Sequence, residues 1–303
     1  LSTWLRAMPG VKKYGLLNSR FQCPANYSSP AFLDTVVEIL TTLKQEGNLD
    51  GIVYVDHYLL QAISDAVPEL AAGLEAVPGL NCMLDSLDKI LFQLEFISKT
   101  AFQEPKKLLL DRSLNRSWSR LEQVCSGIRK RWPQAVIGLL ANEGCLPHCS
   151  FKLTHDAQIA LANLQCGQDR TAVDNARLGC ARTFVQDPSL ILRSPFIRPE
   201  DVQAYSGMID FIKLSGRTRG PEVMSKIVTI YDRQSYSGNL LEIMDTLEFL
   251  AGRFNLPNQA LPGDFLATVT TCSKDCLQCG ICQELSRELI EDRGIAGIRP
   301  MWA

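Results

Sequence analysis

The sequence predicts an α/β fold, a (β/α) TIM-like barrel of about seven or eight units with a cysteine-rich C-terminal tail. Short apolar runs alternate with amphipathic helical segments, and candidate strands start at residues 52, 80, 108 and 136, a repeat of 28 residues. A βα unit with short loops takes about this many residues, and its crossover makes neighbouring strands parallel, so the repeat indicates either a doubly wound sheet or a closed barrel. A count of about seven units favours the barrel over the open sheet. We assign residues 1–255 to the barrel domain and residues 256–303 to a cluster-binding extension.

The predicted elements follow one another along the chain. The clearest helix runs from about Ala31 to Glu46, with Ser29 as its N-cap and Gly47 at its end. Further helices are expected at residues 222–231 and 240–250. The candidate strands are the apolar runs at residues 14–17, 52–55, 80–84, 108–110, 136–140, 190–192 and 209–214.

The composition is that of a globular protein. Of 303 residues, 46% are hydrophobic and 21% are charged, and the net charge is -2. This charge gives no electrostatic footprint for non-specific nucleic-acid binding. No apolar run approaches the roughly 20 residues that cross a bilayer, and the first residues lack the pattern of a signal peptide. We therefore expect a cytoplasmic protein without a membrane span.

Polar side chains follow several predicted strands, where a parallel barrel would gather them on one rim. Each carboxylate could instead cap the next helix, and His57 could be a structural residue rather than an acid–base group. As a set, these side chains indicate a catalytic rim. The candidate catalytic residues are Asp56, His57, Asp111, Arg112, Glu143, Lys213 and Arg217.

The eleven cysteines form two groups and a remainder. An odd count without an export signal argues against a disulfide framework. Four thiols in the tail, at spacings of four, three and three residues, predict a metal or iron–sulfur cluster site. A single zinc ion is the main alternative. A radical S-adenosylmethionine site is rejected, because the motif lies at the far end of the chain and Gln278 occupies the position of the usual aromatic residue. The tail ligands are Cys272, Cys276, Cys279 and Cys282.

A second group of cysteines follows the strand at residues 136–140. Cys145 and Cys149 lie in a loop that would stand over the barrel mouth, with Cys180 further along the chain. Three or four thiols of this region could meet at one cluster. The fourth ligand is open between Cys23, Cys166 and a tail cysteine. Cys82 and Cys125 are interpreted as inert buried thiols.

Two segments carry a resemblance to a known family. The loop from Asn142 to Lys152, the later Cys180 and the strand end from Ile212 to Arg217 resemble the collagenase-like peptidases, family thirty-two of the unclassified peptidases. The resemblance covers roughly residues 14–250 and leaves out the tail. It implies a barrel-like α/β fold and, in an iron–sulfur branch, a [4Fe–4S] cluster held by Cys145, Cys149 and Cys180. Members of that branch look like oxygen-independent hydroxylation factors, and Ser215 departs from the acidic residue expected before the glycine.

These observations lead to one main functional hypothesis and two alternatives. The main hypothesis is a redox enzyme with one or two [4Fe–4S] clusters that hydroxylates, or otherwise modifies, a small-molecule or RNA-borne substrate. A redox partner protein would be expected with it, and the oligomeric state is open. The first alternative is an electron-transfer or assembly subunit. A hydrolase ranks third, because no nucleophile–base pair is apparent in the sequence.

Overall fold

The computed structural model describes residues 7–8, 10–164 and 170–294. Its strands are short, and several short helices lie between the longer ones. The strands are β1 (Tyr14–Leu17), β2 (Gly51–Tyr54), β3 (Glu75–Pro78), β4 (Lys107–Leu109), β5 (Val136–Leu140), β6 (Phe211–Lys213), β7 (Phe254–Asn255) and β8 (Glu291–Asp292). The α-helices are α1 (Pro30–Gln45), α2 (His57–Ala66), α3 (Pro68–Ala72), α4 (Leu87–Ser98), α5 (Trp118–Arg131), α6 (Lys152–Asn163), α7 (Thr171–Arg177), α8 (Cys180–Gln186), α9 (Ser189–Arg193), α10 (Pro221–Asp232), α11 (Phe265–Thr271), α12 (Cys276–Cys279) and α13 (Ile281–Leu289).

The chain divides into two compact units. Unit 1 consists of the described residues of Leu1–Leu109, Ile128–Val136 and Thr154–Asp169. Its parallel sheet has the order β1-β2-β3, and Gly51 lies opposite Glu75. A Cβ on Gly51 would lie 2.5 Å from the Glu75 carbonyl oxygen, so the close strand approach needs glycine. Lys12 and Tyr14 bind the buried Glu75 carboxylate.

Unit 2 consists of the described residues of Leu110–Gly127, Ile137–Leu153 and Arg170–Ala303. Here β5 and β6 pair in parallel, with Gly138 opposite Phe211, while β7 and β8 pair antiparallel. The tail helix α13 packs against α9. Ile137, Leu139 and Ile191 are fully buried in the core of this unit.

Several local predictions are confirmed. Helix α1 starts after Ser29, whose hydroxyl accepts a hydrogen bond from the Phe32 N–H, and Gly47 follows its end with a φ of +70°. The strands predicted at residues 14–17 and 136–140 have the predicted bounds, and those near residues 52, 108 and 211 shift by one or two residues. The local sequence predicts these elements correctly because the capping residues lie directly at the ends of the apolar runs.

Three predicted elements are wrong. The strand expected at residues 80–84 lies instead at Glu75–Pro78, and a 3-10 turn with a left-handed Met83 occupies the predicted place. Residues 190–192 are helical, within α9. The helix expected at residues 240–250 is two separate 3-10 turns, interrupted by Thr246 with a φ of +69°. A short apolar run does not by itself distinguish a strand from a buried helix.

These differences bear directly on the predicted barrel. The mixed α/β class with parallel strands is confirmed. Among the described residues no closed barrel is found, because segments that were expected to extend the repeat are helices or turns. None of the described helices is long and apolar enough to cross a membrane. The predicted boundary at residue 255 stays a prediction.

Candidate functional site

The loop after β5 is anchored by Asn142. This residue is fully buried, and its side-chain amide donates to the carbonyl oxygens of Ser215 at 2.9 Å and Ile243 at 3.1 Å. Its Oδ1 accepts the Ser215 N–H at 2.7 Å. The Asn142 amide therefore connects two segments, the one that follows β6 at Ser215 and the one at Ile243, to the start of the loop that carries Cys145.

Gly144 brings this loop close to the segment after residue 244. Its N–H donates to Thr246 Oγ1 at 3.2 Å and to the Asp245 carbonyl oxygen at 3.2 Å. A Cβ on Gly144 would lie 2.2 Å from Leu247 Cδ1, closer than any side chain can tolerate. The glycine thus permits a close approach that sets the position of Cys145.

Cys145 lies in a charged group with Arg112 and Glu143. The Arg112 Nη1 donates to Cys145 Sγ at 3.0 Å, and the Cys145 thiol donates to Glu143 Oε1 at 3.0 Å. Arg112 and Glu143 also form an ion pair, with only 9% and 11% of their side-chain surfaces exposed. The Ser194 hydroxyl holds the Cys145 carbonyl oxygen at 2.8 Å.

Cys149 and Cys180 form a second pair of thiols. Burial raises the pKa of Cys180 to about 11, and its electrostatic interaction with Cys149 adds to this shift. Cys180 is the first residue of α8, and its thiol lies 3.8 Å from Asn175 Oδ1. Cys145, which the resemblance places with these two as a ligand, has its hydrogen bonds with Arg112 and Glu143 instead.

The four tail thiols line one small cavity of about 20 Å³. Cys272 ends α11, Cys276 and Cys279 bound α12, and Cys282 lies in the first turn of α13. Burial raises the pKa of Cys282; the charges of Arg116 and Arg193 oppose the shift, and Cys276 and Cys272 add to it. All four tail cysteines therefore border one cavity, and their role as cluster ligands stays a prediction.

The tail thiols fit an iron–sulfur cluster in their chemistry. Four cysteine thiols are the usual donor set of a [4Fe–4S] cluster, and all four border the same cavity. Within the described ranges, no three His, Cys, Asp or Glu side chains are arranged to hold a metal ion. Of the two other candidate ligands, Cys23 is exposed in unit 1, and Cys166 lies outside the described residues.

The lysine–arginine strand end forms a charged group in unit 2. The pKa of Lys213 is lowered, first by desolvation and then by the charges of Arg217 and Arg112, while Asp245 opposes the shift. Desolvation raises the pKa of Asp245. Gly216, with a φ of +121°, allows the turn that places Arg217 beside Lys213.

The acidic residues that follow other predicted strands cap helices. Asp56 accepts the N–H groups of Tyr58 and Leu59 at the start of α2, and Asp111 accepts the Ser113 N–H. The two ring nitrogens of His57 contact the Val55 carbonyl oxygen at 3.1 Å and Gln93 Oε1 at 2.9 Å. These contacts are structural, and the catalytic roles of Asp56, His57 and Asp111 stay predictions.

Sequence reasoning missed several residues that contact these groups. Thr246 and Asp245 border the Cys145 loop, and Arg116 and Arg193 lie beside the tail thiols. No motif marks them, since they lie roughly 80 to 165 residues along the chain from the cysteines that they approach. Of these four residues, Arg116 follows a predicted polar strand end, that of β4.

The fold and these contacts define an α/β protein with two groups of reduced cysteines, one of them beside a buried arginine–glutamate pair. No family model matches the chain. The chain is 28% identical over 282 residues to "Uncharacterized protease MJ1657" of Methanocaldococcus jannaschii, covering 90% of this chain and 78% of that protein.

A solved structure named "The Structure of the U32 Peptidase Mk0906" is also similar. It has a TM-score of 0.40 and 17% identity, and the match covers 55% of this chain and 60% of that one. The name of the Methanocaldococcus jannaschii relative, a protease, agrees with the predicted resemblance to the collagenase-like peptidases. Neither name mentions an iron–sulfur cluster.

Proposed function

We propose that this chain is an iron–sulfur enzyme that carries out an oxygen-independent hydroxylation, or a related redox modification, of a small organic molecule. The observation that carries the proposal is the convergence of Cys272, Cys276, Cys279 and Cys282 on one cavity. A chain of this length buries enough apolar surface to fold without disulfide bonds, so four neighbouring thiols are better explained by a cluster than by packing. The net charge of -2 favours a small molecule over an RNA-borne substrate.

The tail would hold the cluster through its four thiolates. When bound there, a [4Fe–4S] cluster supplies one-electron redox chemistry, whose potential depends on nearby charge and hydrogen bonds. Arg116 and Arg193 oppose the burial effect on the pKa of Cys282, so they ease the deprotonation that cluster binding requires. Lys274 Nζ, 3.5 Å from Cys272 Sγ, adds a further positive charge.

The loop cysteines would hold a second cluster. Cys145, Cys149 and Cys180 would be its ligands, and Cys145 would exchange its contacts with Arg112 and Glu143 for iron. Arg112 and Glu143 would then line that site, and Lys213 and Arg217 would add positive charge near Arg112.

Iron content tests the cluster proposal. The full chain is purified without oxygen, and iron and acid-labile sulfide are counted for wild type, Cys276→Ala and Cys145→Ala, with Mössbauer spectra of each. We expect Cys276→Ala to lose the tail cluster and Cys145→Ala to lose a second one. Cys125→Ala is the matched control, since it removes a buried thiol of α5 and should retain all iron. Full iron content in both ligand variants contradicts the proposal.

One observation favours the electron-transfer alternative. Cys276 is exposed, and the side chain of Leu277 beside it is 99% exposed, so a tail cluster would lie near the surface. A surface cluster suits electron exchange with a partner protein. Rapid oxidation of the reduced protein by a ferredoxin, without turnover of any small substrate, would support this relay function. Peptide cleavage that survives removal of iron would instead support a protease.

A further inference from the structure

A second, larger cavity of about 210 Å³ borders the tail thiols within unit 2. Cys272, Cys276 and Cys282 line part of it, so it shares these thiols with the smaller cavity. The apolar part of the cavity wall is formed by Leu192, Pro195 and Val269. A ligand in this cavity would contact the tail cysteine site directly.

Three polar residues of this cavity have unused hydrogen-bonding atoms. Arg116 Nη1, Arg193 Nε and Ser113 Oγ are buried, and none has a hydrogen-bond partner among the described residues. Buried polar groups without partners are rare in native proteins, because each one costs desolvation free energy. Three such groups around one cavity indicate a ligand that accepts hydrogen bonds.

Arg116 is held rigidly toward this cavity. Its residue surface is only 7% exposed, and its Nε and Nη2 both donate to the Phe196 carbonyl oxygen, at 3.2 and 2.9 Å. The rings of Phe196 and Phe265 lie 4.7 and 5.2 Å from the guanidinium carbon. Backbone and rings thus fix the guanidinium, which leaves Nη1 for a ligand.

We propose that this cavity binds a small organic carboxylate, with the carboxylate on Arg116, Arg193 and Ser113 and an apolar body against the Leu192–Val269 wall. The positive charges of two arginines favour an anionic ligand, and the two parallel N–H donors of a guanidinium match the two oxygens of a carboxylate. A cavity of about 150 Å³ accepts benzene, so the 210 Å³ here accommodates a ring with its carboxylate. This inference deepens the proposed function and rests on it, since it names the substrate class of the tail site.

Benzoate is the probe, and calorimetric titration of the anaerobic, iron-loaded full chain and of the iron-free chain is the measurement. We expect saturable binding with a Kd below about 1 mM. Benzamide, which has the same shape without the charge, should bind at least about tenfold more weakly, equivalent to one decade in Kd. Arg193→Gln and Ser113→Ala should each weaken benzoate binding, Arg193→Gln by about tenfold.

Two further variants complete the test. Arg233→Gln removes an exposed arginine outside the cavity and should bind benzoate as wild type does. Arg116→Gln should also weaken benzoate binding. If that variant fails to fold, Arg116→Lys replaces it: lysine keeps the positive charge, but benzoate binding should still weaken because lysine lacks the planar pair of N–H donors. Equal affinity for benzoate and benzamide, or unchanged affinity in Arg193→Gln, overturns the proposal.

Iron counts on the same samples separate the two proposals. Benzoate binding that needs Arg193, in a chain that takes up no iron even when it is purified without oxygen, supports the carboxylate pocket and contradicts the cluster. A full complement of iron without benzoate binding overturns the pocket and leaves the cluster in place. If the Arg193→Gln variant loses iron while benzoate affinity is unchanged, the arginines serve the thiolates only, and the pocket is again overturned.

Discussion

The Arg112 guanidinium contacts both the Cys145 thiol and the Glu143 carboxylate, which also contact each other. Arg112 is 8% exposed, so water does little to screen these contacts. Removing one member of a buried ion pair leaves the other charge without compensation, which costs far more than the pair itself contributes. Arg112 is therefore expected to matter for stability as well as for chemistry.

Arg112→Gln tests this at the residue scale. We expect the free energy of unfolding to fall by about 3 kcal/mol or more, because Glu143 is left buried without a counter-charge. Urea unfolding followed by circular dichroism measures the change. Lys99→Gln, which breaks an exposed ion pair with Glu95 on α4, is the control and should cost about 0.5 kcal/mol or less. Similar costs for the two variants would mean that the Arg112 pair is solvated.

At the scale of elements, the position of the loop that carries Cys145 depends on the close approach of Gly144 to the segment at residues 245–247. Asn142 binds both neighbouring segments through its amide, and Gly144 lies against Leu247. Leu247 is fully buried, so it has no free space into which to retreat. Loop position is thus set by packing between elements rather than by the cysteines.

Gly144→Ala tests that packing. The added methyl group should lower the free energy of unfolding by about 1–3 kcal/mol through overpacking. In a double-mutant cycle, Leu247→Ala should make space for the methyl group, so the double variant should be more stable than the sum of the single effects predicts. Gly252→Ala is the matched control, since a Cβ there meets nothing within 4 Å. Strict additivity of Gly144→Ala and Leu247→Ala would rule out the contact.

At the scale of the whole molecule, charge is the property that bears on partners. Lys and Arg together number 31 and Asp and Glu 33, so the chain as a whole repels polyanions weakly. Arg112 and Arg116, which lie near the cysteines, are buried. A buried charge selects a small anion that enters its pocket, while a phosphate backbone needs an exposed basic surface.

RNA binding tests this point. In a mobility-shift titration at about 0.15 M salt, unrelated structured RNA should show a Kd weaker than about 10⁻⁴ M, the weak end of non-specific binding. Wild type and Arg193→Gln should behave alike, because Arg193 lies in the cavity rather than on an exposed basic surface. Submicromolar binding with a steep salt dependence would favour an RNA-borne substrate over a small molecule.

The two cysteine groups differ in how far they could be predicted. The tail group was found from spacing alone, because four thiols within eleven residues have little freedom to separate. In the loop group, Cys149 interacts electrostatically with Cys180, whereas Cys145 contacts Arg112 and Glu143. That outcome depends on a charged neighbour 33 residues away in the chain.

The sequence by itself determined the α/β class, helix α1 with its Ser29 cap, and the tail thiols as a group, since each depends on residues close together in the chain. Only the tertiary structure decided that α9 is a helix and that Arg116 faces the tail cavity. Arg116 is held by Phe196, 80 residues away, and contacts at that distance depend on how buried segments pack rather than on any local pattern.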